Sequence, residues 1–113
     1  MFSYKKEIRN EIVVFRLEGR LFEHSESDAL IQDFENHLDE KNNKFVVNLG
    51  KLEYMNSSGL NLLINLLTRA RNNYGELVIC ELSDRIKELL VTTKLQNIFE
   101  VTEEEEEAIA KLN

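Results

Sequence analysis

Apolar positions change their period several times along this chain, and each change marks a new element. Ile12-Val13-Val14-Phe15-Arg16-Leu17 is a β-branched and aromatic run that predicts a strand, with Gly19 expected to end it. The stretch from Tyr4 to Ile8 is more polar and predicts an edge strand. Residues 25–41 switch to helical spacing: Leu30, Ile31, Phe34 and Leu38 share one side, Asp33, Glu35, Asn36 and Asp39 the other. Ser25 or Ser27 can cap that helix, and Asp28 stands three after Ser25 as in a capping box. Phe45-Val46-Val47-Asn48-Leu49 is apolar on both faces, as a central parallel strand should be.

Helical spacing returns over residues 57–73 and is expected to stop at Gly75. Leu77-Val78-Ile79-Cys80 predicts a short buried strand. Ser83 or Asp84 then caps a helix with Ile86, Leu89 and Leu90 inside. Ile98-Phe99-Glu100-Val101 predicts the last strand. Thr102 and Glu105 form a T-x-x-E capping box for a terminal helix through Ala108, Ile109 and Leu112. Strands alternating with helices imply an α/β fold: a mainly parallel, mixed sheet with about four helices and right-handed crossovers. There is no proline, repeat or linker-like break, so residues 1–113 are expected to form one domain.

Length and charge narrow the function. A chain of 113 residues can bury a core without disulfides or metals. Its net charge of −7 argues against nucleic acid and anionic membranes as partners. A single cysteine permits no intrachain disulfide and suits a reducing compartment. No apolar segment follows Lys5-Lys6, and no apolar run reaches membrane-spanning length. A cytoplasmic protein with no membrane insertion is expected.

The most informative stretch is Met55-Asn56-Ser57-Ser58-Gly59-Leu60, directly before the long apolar helix. A helix N-terminus carries unpaired N–H groups and partial positive charge, so it can hold a phosphate or tolerate a phosphoserine. On a helical wheel Leu60, Leu62, Leu63, Ile64, Leu66, Leu67 and Ala70 fill an arc of roughly 200°, wider than the ~100° stripe one core needs. That width predicts a helix wedged between two neighbours and the sheet. The opposite strip holds Asn61, Asn65, Thr68, Arg69 and Asn72. It reads either as a solvated face or as a docking surface through Asn61, Asn65 and Arg69, because exposed helices usually favour Glu and Lys over Asn.

Other candidates are weaker. Cys80 reads as a small buried strand residue. His24 and His37 have no ligand partner at metal spacing, and His37 reads as half-buried packing. The run Glu103 to Glu107 reads as an acidic helix start with solvated neighbours. No phosphate-binding glycine loop, dinucleotide motif or nucleophile elbow is present, so neither a cofactor nor a catalytic residue is expected. A serine hydrolase would need a histidine base, and nothing in the sequence places one near Ser57 or Ser58.

The chain resembles the STAS-domain family, in particular its anti-sigma factor antagonists. Those carry D-[ST]-S-G-L after a central strand, where this chain has Asn56-Ser57-Ser58-Gly59-Leu60. Leu17-Glu18-Gly19-Arg20-Leu21 matches an upstream strand ending in G-x-L, and Tyr74-Gly75-Glu76-Leu77-Val78-Ile79-Cys80 matches a downstream turn and strand. The resemblance covers nearly the whole chain. It implies partner switching: an anti-sigma factor that is also a serine kinase binds the unphosphorylated form and phosphorylates the second serine, and a phosphatase resets it. Carried over, the acceptor is Ser58 (Ser57 is the alternative), Ser57 is the helix cap, and Gly59 allows close approach by the partner. Two residues depart from the pattern: Asn56 replaces the usual Asp, and Phe22 stands where many members have Asp. They bear on the partner and kinase rather than on the fold. The alternatives are a constitutively bound STAS subunit of a lipid-transport or stress-sensing complex, and a nucleotide-binding regulatory domain.

Overall fold

Strands and helices alternate as the apolar pattern predicts, and the sheet follows the chain order. A computed structural model describes residues 2–22 and 27–113. Strands β1 (Phe2–Arg9) and β2 (Ile12–Leu21) form an antiparallel hairpin in which Arg9 pairs with Ile12. Its turn residues, Asn10 and Glu11, have φ of 52° and 66°, the hand that matches the twist of the flanking strands. Strands β3 (Lys44–Met55), β4 (Glu76–Cys80) and β5 (Glu100–Thr102) follow in parallel, giving the order β1-β2-β3-β4-β5. The fold is therefore the expected mixed, mostly parallel α/β sheet with four helices.

Both faces of the central strands are covered, which explains their unbroken apolar runs. Helices α1 (Asp28–Asp39), α2 (Ser57–Asn72) and α3 (Asp84–Thr92) lie on one face. There Phe15, Leu17, Phe45, Val47 and Ile79 pack with Leu30, Phe34, Leu63, Leu66 and Ile86. Helix α4 (Glu105–Leu112) covers the other face, where Ala108, Ile109 and Leu112 meet Ile12, Val14, Val46, Val78 and Cys80. Most of the wide apolar arc of α2 is buried against α1 and strands β3 and β4, with Ile64 only partly covered, so one helical neighbour and the sheet account for it.

Several local expectations need correction. Gly19 does not end β2; with φ of 91° it sits inside the strand at a register shift, and pairing resumes to Leu21. Strand β3 does not stop at Leu49 but continues through Gly50 and Lys51 to Met55. At the end of α2, Tyr74 N–H donates to Arg71 O (3.1 Å) and Gly75 N–H to Ala70 O (2.9 Å), a Schellman closure. Its left-handed residue is Tyr74, at φ 60°, rather than Gly75. Gly75 is needed for a different reason, since a Cβ there would collide with the Asn43 carbonyl. The last strand lies two residues later than expected, and Ile98 and Phe99 belong to the preceding turn. Helix α1 spans less than residues 25–41. Ser27 stands at its N-cap without a side-chain cap bond, and Ser25 and His24 lie outside the described residues. His37 is more buried than half, packing edge-on to Phe15 with Asn42 against its Nδ1.

The acidic run also differs. Thr102 does not cap α4; Glu104 does, and its N–H donates to Glu107 Oε1 (3.1 Å). Glu105 is not solvated. Arg16 donates to both its oxygens (2.9 and 2.8 Å), Arg9 Nη1 to Oε2 (3.2 Å) and Asn48 Nδ2 to Oε1 (2.9 Å). Arg16 and Asn48 are polar residues within the apolar runs of β2 and β3. Facing α4, they need a partner, because buried polar groups are costly unpaired. Arg16 in turn holds the Glu105 carboxyl below the usual carboxylate range, against the opposing effect of burial.

A carboxyl whose folded pKa is lowered adds stability above its unfolded value, about 4.3, and loses it as pH falls through the folded value. Glu105→Gln is therefore expected to cost ~2 kcal/mol at neutral pH. That is less than the ~3–5 kcal/mol of a broken fully buried pair, because solvent screens the arginines. Their side chains are 32% and 31% exposed. Urea unfolding across pH should show the variant and the parent converging below about pH 4.

Candidate functional site

The serine turn sits at the carboxyl end of a central parallel strand, the edge where open α/β sheets place their sites. Met55, the last residue of β3, is buried; one residue, Asn56, separates it from α2. Asn56 is extended (φ −101°, ψ −175°) and its Oδ1 accepts the Gly59 N–H at 2.9 Å. Asn56, not Ser57, is thus the helix cap. The first intrahelical bond runs from Leu60 N–H to Asn56 O (2.9 Å), so the Ser57 and Ser58 amides precede the ladder. Both serines are exposed, and the first turn contains no acidic residue.

Gly59 has a role different from the one expected. It is buried, and a Cβ there would stand 2.7 Å from Met55 Cγ and 2.8 Å from Leu21 O. The close approach it permits is by the chain's own β2 end rather than by a partner. Glycine here lets α2 start hard against the sheet, which keeps the two serines at a fixed height above it.

The polar strip of α2 divides. Asn61 is exposed, one turn beyond the serines. Asn65 Oδ1 accepts from Arg69 Nε (2.6 Å), and Arg69 pairs with Glu35 of α1. Asn65 and Arg69 therefore form a strut between two helices, and only Asn61 extends the serine surface outward. Asn56→Ala should remove the cap and cost ~1 kcal/mol in a urea titration.

Two neighbouring features could not be seen in the sequence. A groove of about 400 Å³ runs beside the turn, lined by Glu53, Tyr54, Met55, Asn56 and Ser57 on one side and by α3 residues including Arg85, Glu88 and Leu89 on the other. Arg20 stacks over Phe22 and Tyr54 (5.3 and 5.7 Å to the ring centres), and those rings lie 5.1 Å apart. Phe22, the departure from the family pattern, is thus an exposed member of an aromatic patch next to the site. The one signal available beforehand was the pairing of Leu21 with Met55, implied only if β3 is known to be long.

His37 is held near the C-terminal end of α1 beside Phe15. Burial pushes the Cys80 thiol up to about 12, which opposes a thiolate role. No group of metal-binding side chains occurs among the described residues. None of their helices is long and apolar enough to cross a membrane.

Comparisons with known proteins bear on the family and the fold. BtrV of Bordetella bronchiseptica is 33% identical over 73 residues, 65% of this chain and 63% of that protein. The anti-sigma-B factor antagonist of Staphylococcus aureus is 40% identical over 57 residues, 50% of this chain and 53% of that protein. These matches span between about half and just under two thirds of the relatives' own length. The solved structure of the Bacillus cell fate determinant SpoIIAA in its phosphorylated form superposes with a TM-score of 0.76 at 21% identity, covering 98% of this chain and all of that one. A family model for the STAS domain matches residues 3–108. With that match spanning both the hairpin and the serine turn, the chain belongs to the STAS domain family.

Proposed function

We propose that this protein is an anti-sigma factor antagonist that works by partner switching. In this reading the unphosphorylated chain binds an anti-sigma factor that is also a serine kinase, and phosphorylation of Ser58 releases it. A phosphatase then restores the binding form. The choice of Ser58 over Ser57 comes from the family resemblance, and the geometry supports it: Ser58 is exposed in the first turn of α2, which holds no acidic residue, while Asn56 caps the helix independently. A phosphate could be added there without dismantling a cap or meeting a like charge in its own turn. The relatives support the same role: the S. aureus protein is named an antagonist of an anti-sigma factor, and SpoIIAA was solved phosphorylated.

Ser57, Ser58 and Asn61 supply the contact surface with Asn56 and the buried Gly59 behind them, and Asn65 and Arg69 support it from within. Intact-mass analysis of the protein recovered from cells, with and without phosphatase, tests the proposal. A removable shift of one phosphate, mapped to Ser58, is the expected result. Phosphate found only on Ser57, or none after incubation with the partner kinase, overturns it.

A further inference from the structure

The sheet ends in two unequal strands. At one end β5 has three residues, too short to offer much backbone to another chain. At the other, β1 has eight, paired to β2 without a register shift from Phe2 opposite Gly19 to Arg9 opposite Ile12. Among the described residues β2 is its only strand neighbour. Neither proline nor a bulge blunts this edge, and Ile8 stands 57% exposed on it.

The tight turn at Asn10-Glu11 fixes which backbone groups face outward. Such a turn is closed by a bond from the carbonyl of its first residue to the N–H of its fourth, here Arg9 and Ile12. Directly opposed residues exchange both bonds or neither. Arg9, Glu7, Lys5 and Ser3 therefore spend their N–H and C=O groups on β2, while Ile8, Lys6 and Tyr4 present theirs to the outside. Side chains alternate as well. Tyr4 and Lys6 reach Asp33 on the α1 face, while Glu7 and Arg9 meet Arg16 and Glu105 on the α4 face.

We propose that β1 is a dimerisation edge: it pairs antiparallel with β1 of a second copy about a two-fold axis through Lys6, joining two sheets into one. Charge selects both the occupant and the register. The outward N–H and C=O groups bond only where Tyr4, Lys6 or Ile8 of one copy stands opposite one of these residues in the other. An axis through Lys5 or Glu7 sets that residue against itself with like charge, and one through Tyr4 or Ile8 shortens the overlap. An axis through Lys6 sets Lys5 opposite Glu7 of the second copy, twice over, at the positions where side chains approach most closely. These two side chains are 71% and 49% exposed. The same register lays Ile8 beside the Tyr4 ring of the second copy, covering it with an aromatic partner.

Lysines on an edge strand usually discourage pairing. Here Lys6, the residue that meets its own copy, is already paired with Asp33 at 2.8 Å, and Arg9 is held by Glu105 and Glu106. Only Lys5 and Glu7 are left to decide the match, and they have opposite signs. The serine turn follows β3, two strands in from the seam, so both copies keep it exposed. The two-fold points the two turns toward opposite ends of the joined sheet. The inference is therefore independent of the partner-switching reading.

Sedimentation equilibrium of the intact chain from about 1 µM to 1 mM should show a reversible dimer. Hydrogen exchange should slow with concentration at the Tyr4, Lys6 and Ile8 amides, but not at Lys5 and Glu7, which are already bonded to β2. Lys5→Glu and Glu7→Lys should each weaken self-association by about tenfold or more, because each makes both cross-seam pairs like-charged. Mixed in equal amounts, the two variants should associate again, since every pair then regains opposite charges. An unchanged melting temperature will show that each is folded; should either unfold, exchange in the parent chain decides. A monomer at every concentration, protection confined to other strands, or variants that dimerise as the parent does overturns the inference. So does protection of β1 that arises only when a different protein is added.

Discussion

Replacing Ser58 by glutamate should leave the chain folded and weaken its binding to the anti-sigma factor by about a hundredfold, or ~3 kcal/mol. The two halves of this expectation have separate causes. Within the free protein a carboxylate at the second position of α2 faces the positive end of the helix dipole, which favours it by ~0.3–1 kcal/mol at an exposed site. The cap is untouched, because it is Asn56 Oδ1 that accepts the Gly59 N–H. At the interface the same carboxylate must lose its water beside a surface shaped for a neutral hydroxyl, and an unpaired buried charge is costly. Calorimetric titration against the anti-sigma factor measures the loss, and thermal unfolding checks the fold. A folded variant that binds with parental affinity would remove the electrostatic basis of the switch.

Phe15→Ala should cost ~4 kcal/mol of stability, a large share of the ~5–15 kcal/mol that holds a domain together. Phe15 is fully buried at the junction of four elements. Its ring lies 5.8 Å from Tyr4 of β1, 6.0 Å from Phe34 of α1 and 6.4 Å from both His37 of α1 and Phe45 of β3. Phe34 and Phe45 are themselves stacked at 4.0 Å, so the cluster cannot collapse inward without breaking that pair. The Tyr4 hydroxyl, pushed up to about 12 by burial and by its bond to Asp33 (3.0 Å), pins the outer strand to α1 across the same ring. Urea unfolding should show a lower midpoint with an unchanged slope. A loss below about 1 kcal/mol would mean that the neighbours close the cavity completely.

What could be read beforehand divides by the range of the interaction responsible. The runs around Val13, Val46 and Val78 identified the central strands because burial on both faces leaves no polar position to mislead. The position of the serine turn was legible because Asn and Ser cap helices within a few residues, but the role of Gly59 was not, since it is set by the distant Leu21 carbonyl. The end of β3 was not legible: Gly50 and Lys51 disfavour a strand locally, and it is pairing with β2 out to Leu21 that carries them along. Glu105 was hidden for the same reason. Inside a run of glutamates it has no local mark, and its partners Arg16 and Asn48 are 89 and 57 residues away. The better clue lay in those partners, two polar residues in apolar strands that required something across the sheet. Arg69 gave no local sign of its partner either: its strip on α2 reads as solvated or as a docking surface, and it bonds inside the fold to Glu35.

The sheet order β1-β2-β3-β4-β5 repeats the order of synthesis. Each new strand finds its place beside the one made just before it, and none has to be inserted between strands already paired. Closing successive neighbours keeps each loop short, which is the condition for rapid folding of a parallel sheet. On the ribosome the β1–β2 hairpin can form first and offer Phe15 as a seat for α1 and β3 while the remainder is still being translated. The serine turn then emerges onto a surface already built beneath it.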